Sequence, residues 1–337
     1  MLFRSWVEYG PTKDLGLQTP AEQENKSNHA IQLAGLGAGE TWYYQAVTEG
    51  EDGTQRSAVL TVSVGPAPAG VENYLVPTKP IEAPGYFLLT TNGGPMIKDR
   101  AGRTVWWAEG PAENVDTSQT RMADGQVYFL YFRRSADTED DVIHRISLDY
   151  REMEDIPVPG AHHDFRVYDD SIVSLVRDRR TGPDGKLWIG DSVVKIPKDG
   201  SASEVVWSSW GTLPFEMVTQ GNFWFDGTDW THCNSVDWAE EWNLYVVSCL
   251  RQEAIYAIDP QGTIQRTFGG NQADMSISSG TQFAYVHGVD IRDGNLWLVN
   301  NEPVNQKTSE ADIYTVDLDR KSTRLNSSHL VISYAVF

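Results

Sequence analysis

The sequence predicts an all-β protein, and its composition gives the first reasons. Its 337 residues include 12 tryptophans and 14 tyrosines, and valine and isoleucine are spread through short runs typical of strands. Hydrophobic residues make up 40% of the chain, which excludes a disordered protein. No segment has the pattern of a long helix. The length suits either two domains or one large β domain.

The net charge of -20 limits the classes of partner. Such an acidic chain is not expected to bind nucleic acid or an anionic membrane surface, and we interpret the acidity as a solubility feature. No run of about 18 apolar residues predicts a membrane span. The first residues, MLFRSWVEYG, lack the pattern of a signal peptide. We nevertheless expect a periplasmic or secreted protein whose signal peptide has been lost by truncation.

Residues 1–68 are predicted to form a partial β domain. Three strand-like runs, WVEYG, HAIQLAGLGAGETWYYQAV and SAVLTVSVG, are separated by glycine and polar turns. The run from Leu36 to Val47, with Gly39 before Tyr43 and Tyr44, resembles the tyrosine corner of fibronectin type III/Ig-like β-sandwiches. A complete sandwich needs about seven strands, so its start is expected to be missing. The segment PAPAG at 66–70 is interpreted as a linker.

From residue 71 onward one pattern recurs: a β run, an acidic or glycine turn, and a second β run. Five apolar anchors mark it, with successive spacings of 49, 50, 62 and 58 residues: Ile97, Ile146, Ile196, Ile258 and Val316. These spacings are typical of the four-stranded blades of a β-propeller. Residues 69–320 are therefore predicted to form an incomplete propeller with about five visible blades. An irregular sandwich would not explain the shared motif.

The last stretch, KSTRLNSSHLVISYAVF, differs from everything before it. It resembles a translated adapter sequence, so residues 321–337 are predicted to be a non-native tail. The alternative is a true terminal strand, because LVISYAV has high β propensity. Together with the shortened leading domain, the tail indicates a gene fragment.

Two cysteines flank a predicted hairpin whose turn lies near residues 239–243. A register that pairs Cys233 with Cys249 allows a disulfide and indicates an oxidising compartment, while two buried thiols are the alternative. A register that pairs His232 with Arg251 places those two side chains on one face. Both registers can hold only if the hairpin contains a β-bulge.

Three segments, AHHDF, HCNSVDW and YVHGVD, place histidines at the heads of predicted strands. The histidines are His162, His163, His232 and His287. Because the innermost strands of a propeller line its channel, these side chains are expected to converge. The guanidinium of Arg251 matches a tetrahedral oxyanion, which suggests an anion site. Metal binding by imidazole is a further possibility, but no HxH or HxxxH spacing supports it.

The order of these motifs carries a resemblance to a known family. HHDF, then HCNSVDW with VSCLRQEAIYAIDPQGTIQRTFGG, then FAYVHGVD and LWLVNNE resemble the ASST-type aryl-sulfate sulfotransferases over about residues 70–320. The resemblance implies a six-bladed propeller behind a small β domain. It also implies transfer of a sulfuryl group from an aryl sulfate donor to a phenol acceptor, without a cofactor, by a ping-pong route through a sulfohistidine. A homo-oligomer is compatible with this family.

The resemblance also implies residue roles. His287 is the nucleophile, while His163, His232 and Arg251 hold the sulfuryl oxygens. His162 is the alternative to His163, because adjacent strand residues point to opposite faces. One of His163 and His232 is expected to protonate the leaving phenolate, and the sequence leaves the choice open.

Three further residues are expected near the substrate. Trp238 and Tyr285 could stack on aryl groups, with core packing as the alternative, and Asn234 either orients His232 or serves its strand. A different class of function is a non-catalytic propeller that acts as a binding or scaffold module with structural histidines. A quinone-dependent or metal-dependent oxidoreductase would require a ligand cluster or tryptophan-docking repeats that are not found in the sequence.

Overall fold

The computed structural model is all-β in the residues that it describes, where strands and short 3-10 turns are the regular elements and no α-helix occurs. This confirms the predicted class. Two units are distinguished: 1–120 with 146–152, and 121–145 with 153–337. The predicted domain boundary near residue 68 stays a prediction. The described residues are 4–22, 27–67, 85–91, 94–108, 116–132, 141–215, 228–270, 272–279, 285–301, 309–318 and 322–332.

The first unit contains a five-stranded sheet and a three-stranded antiparallel sheet. In the larger sheet the order is β2-β1-β3-β4, and β5 also pairs with β3. Its core side chains include Trp42 and Val47 of β3, both buried. The strands are β1 (Arg4–Gly10), β2 (Leu17–Gln18), β3 (Thr41–Gly50), β4 (Gly53–Arg56), β5 (Leu60–Ser63), β6 (Phe87–Thr91), β7 (Gly94–Lys98) and β8 (Thr104–Trp107).

Two four-stranded sheets follow, in the orders β12-β11-β10-β9 and β13-β14-β15-β16. Strands that are adjacent in sequence are adjacent in each sheet, as in a meander. Their bounds are β9 (Asp116–Ala123), β10 (Gln126–Phe132), β11 (Val142–Ser147), β12 (Met153–Pro157), β13 (Ala161–Val167), β14 (Ser171–Thr181), β15 (Leu187–Pro197) and β16 (Glu204–Ser208).

The last two sheets have the orders β17-β18-β19-β20 and β21-β25-β24-β23-β22. Two 3-10 turns, Glu240–Trp242 and Leu250–Gln252, connect strands of the first of them. The strands are β17 (Cys233–Ala239), β18 (Leu244–Cys249), β19 (Ala254–Ile258), β20 (Ile264–Gly269), β21 (Ser276–Ser279), β22 (His287–Arg292), β23 (Asn295–Asn300), β24 (Ser309–Asp317) and β25 (Ser322–Ile332). No helix long and apolar enough to cross a membrane occurs among the residues described.

The sequence repeat corresponds to a repeated structural position. Ile146, Ile196, Ile258 and Val316 lie on β11, β15, β19 and β24, which are the third strands of successive sheets counted from β9, β13, β17 and β22. Ile97 lies on β7. Equivalent apolar anchors therefore occupy equivalent strands, as the spacing predicted.

Hydrophobic clusters lie between successive sheets of the second unit. One joins β10 and β11 to β13, β14 and β15, a second joins β14 and β15 to β17, β18 and β19, and a third joins β18 and β19 to β22, β23 and β24. Trp207 and Trp230 are almost completely buried in the second cluster. Because each cluster is shared by two neighbouring sheets, the sheets pack face to face in chain order.

The segment predicted to be a non-native tail includes a strand. Ser322–Ile332 form β25, which pairs antiparallel with β24 and parallel with β21. Residue 321 and residues 333–337 lie outside the described part of the chain. The backbone at 322–332 thus has the strand conformation that its β propensity allowed, and its non-native origin stays a prediction.

The hairpin of β17 and β18 combines the two registers that the sequence left open. Cys233 pairs with Cys249, and the two form a disulfide. From Ser235 to Ala239 the ladder is shifted by one residue, so a bulge lies at Asn234. Because of this bulge, Cys233 can pair with Cys249 while the rest of the hairpin keeps the register that a His232–Arg251 pairing would require.

Replacing both cysteines by serine is expected to lower the free energy of unfolding. The disulfide closes a loop with a sequence separation of 16, and crosslinks of that span typically contribute about 3 kcal/mol. Urea denaturation of the oxidised wild type and the double serine variant measures the difference, with reduced wild type as the control. Equal unfolding midpoints for all three samples would contradict the prediction.

Candidate active site

The histidine segments lie on three neighbouring strands of the second unit. β13 contacts β17, and β17 contacts β22. His162 and His163 are the second and third residues of β13. His232 immediately precedes β17, and His287 is the first residue of β22. The prediction that each segment heads a strand is confirmed.

Each of these strands is irregular where its histidine lies. Pairing shifts occur between residues 161 and 165, between 233 and 235, and between 287 and 290. In addition, His163 and His232 have φ values of 52° and 49°, in the left-handed region that non-glycine residues rarely adopt. Bulges and left-handed residues redirect side chains away from the regular alternation of a strand. Strain of this kind is concentrated at functional sites.

The structure distinguishes the two members of the HH doublet. The His163 ring lies against His232, with centroids 5.0 Å apart. His162 is 2% exposed, and its Nε2 lies 3.0 Å from Asp191 Oδ1. The two Nδ1 atoms of the doublet are 2.8 Å apart. His163 therefore faces the histidine cluster, and His162 lies between His163 and a buried carboxylate.

Electrostatic effects show that the cluster includes His287. Burial, followed by the charges of His162, His232, His287 and Arg177, lowers the pKa of His163 well below its ordinary value. Burial lowers the pKa of His287 to about 4, and the charge of His232 acts in the same direction. His163 and His287 are therefore neutral near pH 7, as a nucleophilic imidazole must be.

Two contacts fix the protonation of His287. Its Nδ1 lies 2.9 Å from the carbonyl oxygen of Tyr285 and 2.8 Å from the side-chain amide of Asn301. A carbonyl oxygen only accepts hydrogen bonds, so Nδ1 carries the proton and Nε2 the lone pair. The Asn301 amide then turns its oxygen toward Nδ1, which also gives that buried oxygen a hydrogen-bond partner. Sequence reasoning missed Asn301.

His232 has a carboxylate partner three residues earlier. Its Nδ1 lies 2.6 Å from Asp229 Oδ2, and its backbone N–H donates to Asp229 Oδ1 at 3.0 Å. Trp230 holds this segment, because its backbone N–H donates to the carbonyl of Ile189 at 3.0 Å. The carboxylate accepts the Nδ1 proton of His232 and so holds this ring in one orientation beside His163.

Arg251 and Arg177 occupy different positions around the cluster. The backbone N–H of Arg251 donates to the Thr231 carbonyl at 3.1 Å, which fixes its turn beside His232. Its side chain lines a cavity of about 280 Å³ together with Gln252 and Tyr256. Arg177 of β14 pairs with Asp191 of β15 across the ladder, and its charge acts on both His162 and His163. Sequence reasoning missed Arg177, although the VRDRR run offered a signal.

The three other residues predicted to contact substrate differ in burial and in their partners. Asn234 is buried at the bulge, and its Oδ1 accepts a hydrogen bond from the Ser248 hydroxyl at 2.6 Å. Trp238 packs on Tyr245, with ring centroids 4.6 Å apart, in the cluster shared by the fourth and fifth sheets. Tyr285 is 39% exposed. Asn234 is thus bonded to the neighbouring strand β18, Trp238 packs against the core, and Tyr285 is exposed two residues before His287.

A charged network continues along the same three strands. Arg166 of β13 donates to the carbonyls of Val236 at 2.9 Å and Val289 at 2.8 Å, so it ties β13 to β17 and β22. Its guanidinium also lies 3.3 Å from Asp237 and 3.9 Å from Asp164. The strands that carry the histidines are therefore joined by buried charge pairs. Within the described ranges no group of three or more His, Cys, Asp or Glu side chains is arranged to hold a metal ion.

Two carboxylates of this network make the same kind of contact, in which each accepts a backbone N–H of a neighbouring strand. Asp164 accepts the backbone N–H of Val236 at 3.0 Å, and Asp237 accepts that of Ile291 at 2.9 Å. β13 and β17 thus each use an aspartate to hold the backbone of the next strand that carries or follows a histidine. This contact fixes the spacing between the heads of the strands, where the histidines lie.

Acidification is expected to destabilise the folded chain partly through His287. An unfolded histidine titrates near about 6.5, whereas the folded pKa of His287 is about 4. Between these values the unfolded state binds more protons, so stability is complete above pH 6.5 and is lost as the pH falls toward 4. Urea titrations at pH 7.5 and 5 should show a loss smaller in His287→Gln than in wild type by on the order of 1 kcal/mol. Equal losses in the two proteins would contradict this assignment.

The fold and the cluster define a β protein of successive antiparallel sheets with a buried histidine site at the heads of neighbouring strands. The family model for arylsulfotransferase (ASST) matches residues 74–283. The chain therefore belongs to the arylsulfotransferase family. The matched region includes His163, His232 and Arg251, and His287 lies four residues beyond it.

Other comparisons add little to this assignment. No curated protein matches the chain. A solved structure from work on two prolyl endopeptidases has a TM-score of 0.31 and 12% identity, covering 71% of this chain and 41% of that one. The structure of Kluyveromyces lactis Hsv2 has a TM-score of 0.36 and 10% identity, covering 86% of this chain and 95% of that one. This chain thus spans about two fifths of the prolyl endopeptidase structure.

Proposed function

We propose that this protein is an aryl-sulfate sulfotransferase that moves a sulfuryl group from an aryl sulfate to a phenol without a nucleotide cofactor. The observation that carries the proposal is the convergence of His163, His232 and His287 in a chain of the arylsulfotransferase family. A buried group of neutral and carboxylate-paired imidazoles suits transfer of an anionic group.

The fold proposal follows the same evidence. The sheets from β6 onward are proposed to be blades of a six-bladed-type propeller, and the sheet of β1–β5 to belong to a fibronectin type III-like domain. Support comes from the equivalent positions of the apolar anchors and from the shared hydrophobic clusters. A periplasmic or secreted location is supported by the Cys233–Cys249 disulfide.

The proposed first step is attack of His287 Nε2 on the sulfur of the donor. A sulfur–nitrogen bond forms, the bond from sulfur to the aryl oxygen breaks, and a phenolate leaves. Nε2 is suited to attack because the Tyr285 carbonyl holds the proton of the ring on Nδ1. In the second step the oxygen of the acceptor phenol attacks the same sulfur, and the sulfur–nitrogen bond breaks.

The sulfuryl oxygens need hydrogen-bond donors and positive charge in both steps. His232 is proposed to bind one of them, since Asp229 holds its ring in place beside His163. The resemblance to the arylsulfotransferase family assigns the same role to Arg251, whose backbone N–H donates to the Thr231 carbonyl next to His232. Arg177 adds positive charge near His163. Donors fixed before the reaction stabilise the transition state without reorganisation.

The function is tested with a chromogenic nitrophenyl sulfate and added phenol. We expect phenol-dependent release of nitrophenol, formation of phenyl sulfate, and parallel double-reciprocal plots as the two substrates are varied. Addition of a nucleotide should not change the rates. Absence of phenyl sulfate with folded protein would favour the alternative of a non-catalytic binding module.

A further inference from the structure

We propose that Asp191, His162 and His163 form a proton relay that removes the proton of the acceptor phenol as the sulfuryl group is transferred. His163 is the member that touches the substrate, and His162 and Asp191 are positioning residues. The relay rests on the proposed function and assigns the acid–base role that the sequence left open between His163 and His232.

The carboxylate at the base of the relay is fixed in place. Asp191 is 2% exposed. Its Oδ2 accepts the Thr231 hydroxyl at 2.7 Å and the backbone N–H of Cys233 at 2.6 Å. Its Oδ1 lies 3.0 Å from Nε2 of His162. A carboxylate at this distance favours a proton on Nε2 of His162, although the angle between the two groups falls short of a regular hydrogen bond.

That proton determines both tautomers of the doublet. In neutral His162 the lone pair is then on Nδ1, which lies 2.8 Å from Nδ1 of His163. His163 must donate across this contact, so its own lone pair is on Nε2. Asp191 thus sets the tautomer of His163 through the ring of His162.

The relay can move one proton without leaving an unpaired charge. The phenol O–H bond breaks and its proton passes to Nε2 of His163, while the Nδ1 proton of His163 passes to Nδ1 of His162. The phenol oxygen forms its bond to sulfur as the bond to His287 breaks. The resulting His162 imidazolium lies against the Asp191 carboxylate. The donor step needs one proton on the relay, taken from solvent or kept from the preceding acceptor step, and the same transfers then run in reverse and protonate the leaving phenolate.

The charges around the doublet support this direction of transfer. Burial lowers the pKa of both histidines, and Arg177 acts in the same direction, so the relay is neutral before it accepts a proton. Asp191 opposes this effect at His162, where an imidazolium would form. The charged and titratable groups that act on the doublet from the surrounding elements are Arg177 of β14, Asp191 of β15, Asp229 and His232 before β17, and His287 of β22.

His232 does not duplicate this role. Its Nδ1 is bonded directly to the carboxylate of Asp229, which only accepts hydrogen bonds and so holds the ring in one orientation for binding an anion. His163 instead faces a second imidazole, which can both give and take a proton. The two neighbouring histidines are thus separated into an anion holder and a proton carrier by their partners.

The test compares the two half-reactions in His162→Gln. Nitrophenolate needs little protonation, so its release in the first half-reaction should stay within about threefold of wild type. Transfer to weakly acidic phenols should fall by about 10² to 10³, and transfer to strongly acidic phenols much less. The rate should therefore depend more steeply on the pKa of the acceptor phenol, and the solvent deuterium effect on transfer should change.

His144→Gln is the matched control, since it removes a histidine whose Nδ1 lies 2.6 Å from a carboxylate on another edge of the unit. It should behave as wild type. Asp191→Asn is the second variant, because its amide can donate to His162 Nε2 and reverse both tautomers. It should show the same selective loss with weakly acidic phenols.

An unchanged dependence on phenol acidity in either folded variant would overturn the relay, as would an equal loss with all phenols. The failure of the proposed function looks different, since wild type itself would then make no phenyl sulfate. Formation of phenyl sulfate by the wild type therefore distinguishes failure of the relay from failure of the proposed function.

Discussion

Replacing His287 by alanine is expected to abolish sulfuryl transfer, with a residual rate lower than wild type by on the order of 10³ or more. The reason is that Nε2 of this ring supplies the covalent intermediate, and no nearby group substitutes for it. Nε2 of His163 takes the proton of the phenol in the proposed relay, and His232 is proposed to bind a sulfuryl oxygen, so neither ring is assigned to attack the sulfur. Nitrophenol release and the intact mass of the protein after donor treatment measure the effect.

The mass measurement shows whether His287 is the nucleophile or only a residue that binds the substrate. Wild type exposed to donor without acceptor should gain the mass of one SO₃ unit, and addition of phenol should remove it. His287→Ala should show no gain, while His144→Gln, outside the cluster, should match wild type. A sulfated His287→Ala protein, or wild-type rates of release from it, would refute His287 as the nucleophile.

The strands were predictable because their signals are local. Alternation of side chains depends on nearby residues, and the apolar anchors recur at a similar spacing along the chain, so Ile196 and Ile258 occupy the strands that this repeat indicated. The heads of β13, β17 and β22 were predictable for the same reason. The number of blades depends on how sheets are arranged, which a repeat does not determine by itself.

The orientation of the site was not predictable in the same way. The rule of alternation could not choose between His162 and His163, because a left-handed residue and a pairing shift interrupt β13 at that point. The partners that define the roles are distant in sequence. Asp191 lies 29 residues after His162, on another strand of the same sheet. Asp229, three residues before His232, and Tyr285, two residues before His287, are local exceptions.

The cysteine hairpin combines a feature that the sequence predicted with one that distant contacts determine. The sequence indicated that two registers compete and that a bulge would reconcile them, and the structure has that bulge at Asn234. Its position depends on how β17 packs against its neighbours. There Ser235 accepts the backbone N–H of Val289 at 3.1 Å, a contact to a strand 54 residues away. Such contacts leave no periodic trace in the sequence.

Replacing Arg166 by methionine is expected to be the most destabilising single change in the second unit, by about 3 to 5 kcal/mol. The variant keeps much of the side-chain volume but removes the donors to the Val236 and Val289 carbonyls. It also leaves the buried carboxylate of Asp237 without its nearest cation. Burial already raises the pKa of Asp237, and the nearby Asp290 adds to the effect. The deficit should therefore shrink as the pH falls and Asp237 is protonated.

Urea denaturation at pH 7.5 and 5 tests both parts of this prediction. Arg145→Gln is the control, because its ion pair with Glu154 is partly exposed and such pairs contribute at most about 1 kcal/mol. Arg166 joins the strands that carry His163, His232 and His287, so sulfuryl transfer should decline in the variant even where it is folded. A variant with wild-type stability would show that other groups satisfy the Val236 and Val289 carbonyls and the Asp237 carboxylate. The spacing of the three strand heads would then depend on the backbone contacts of Asp164 and Asp237 alone.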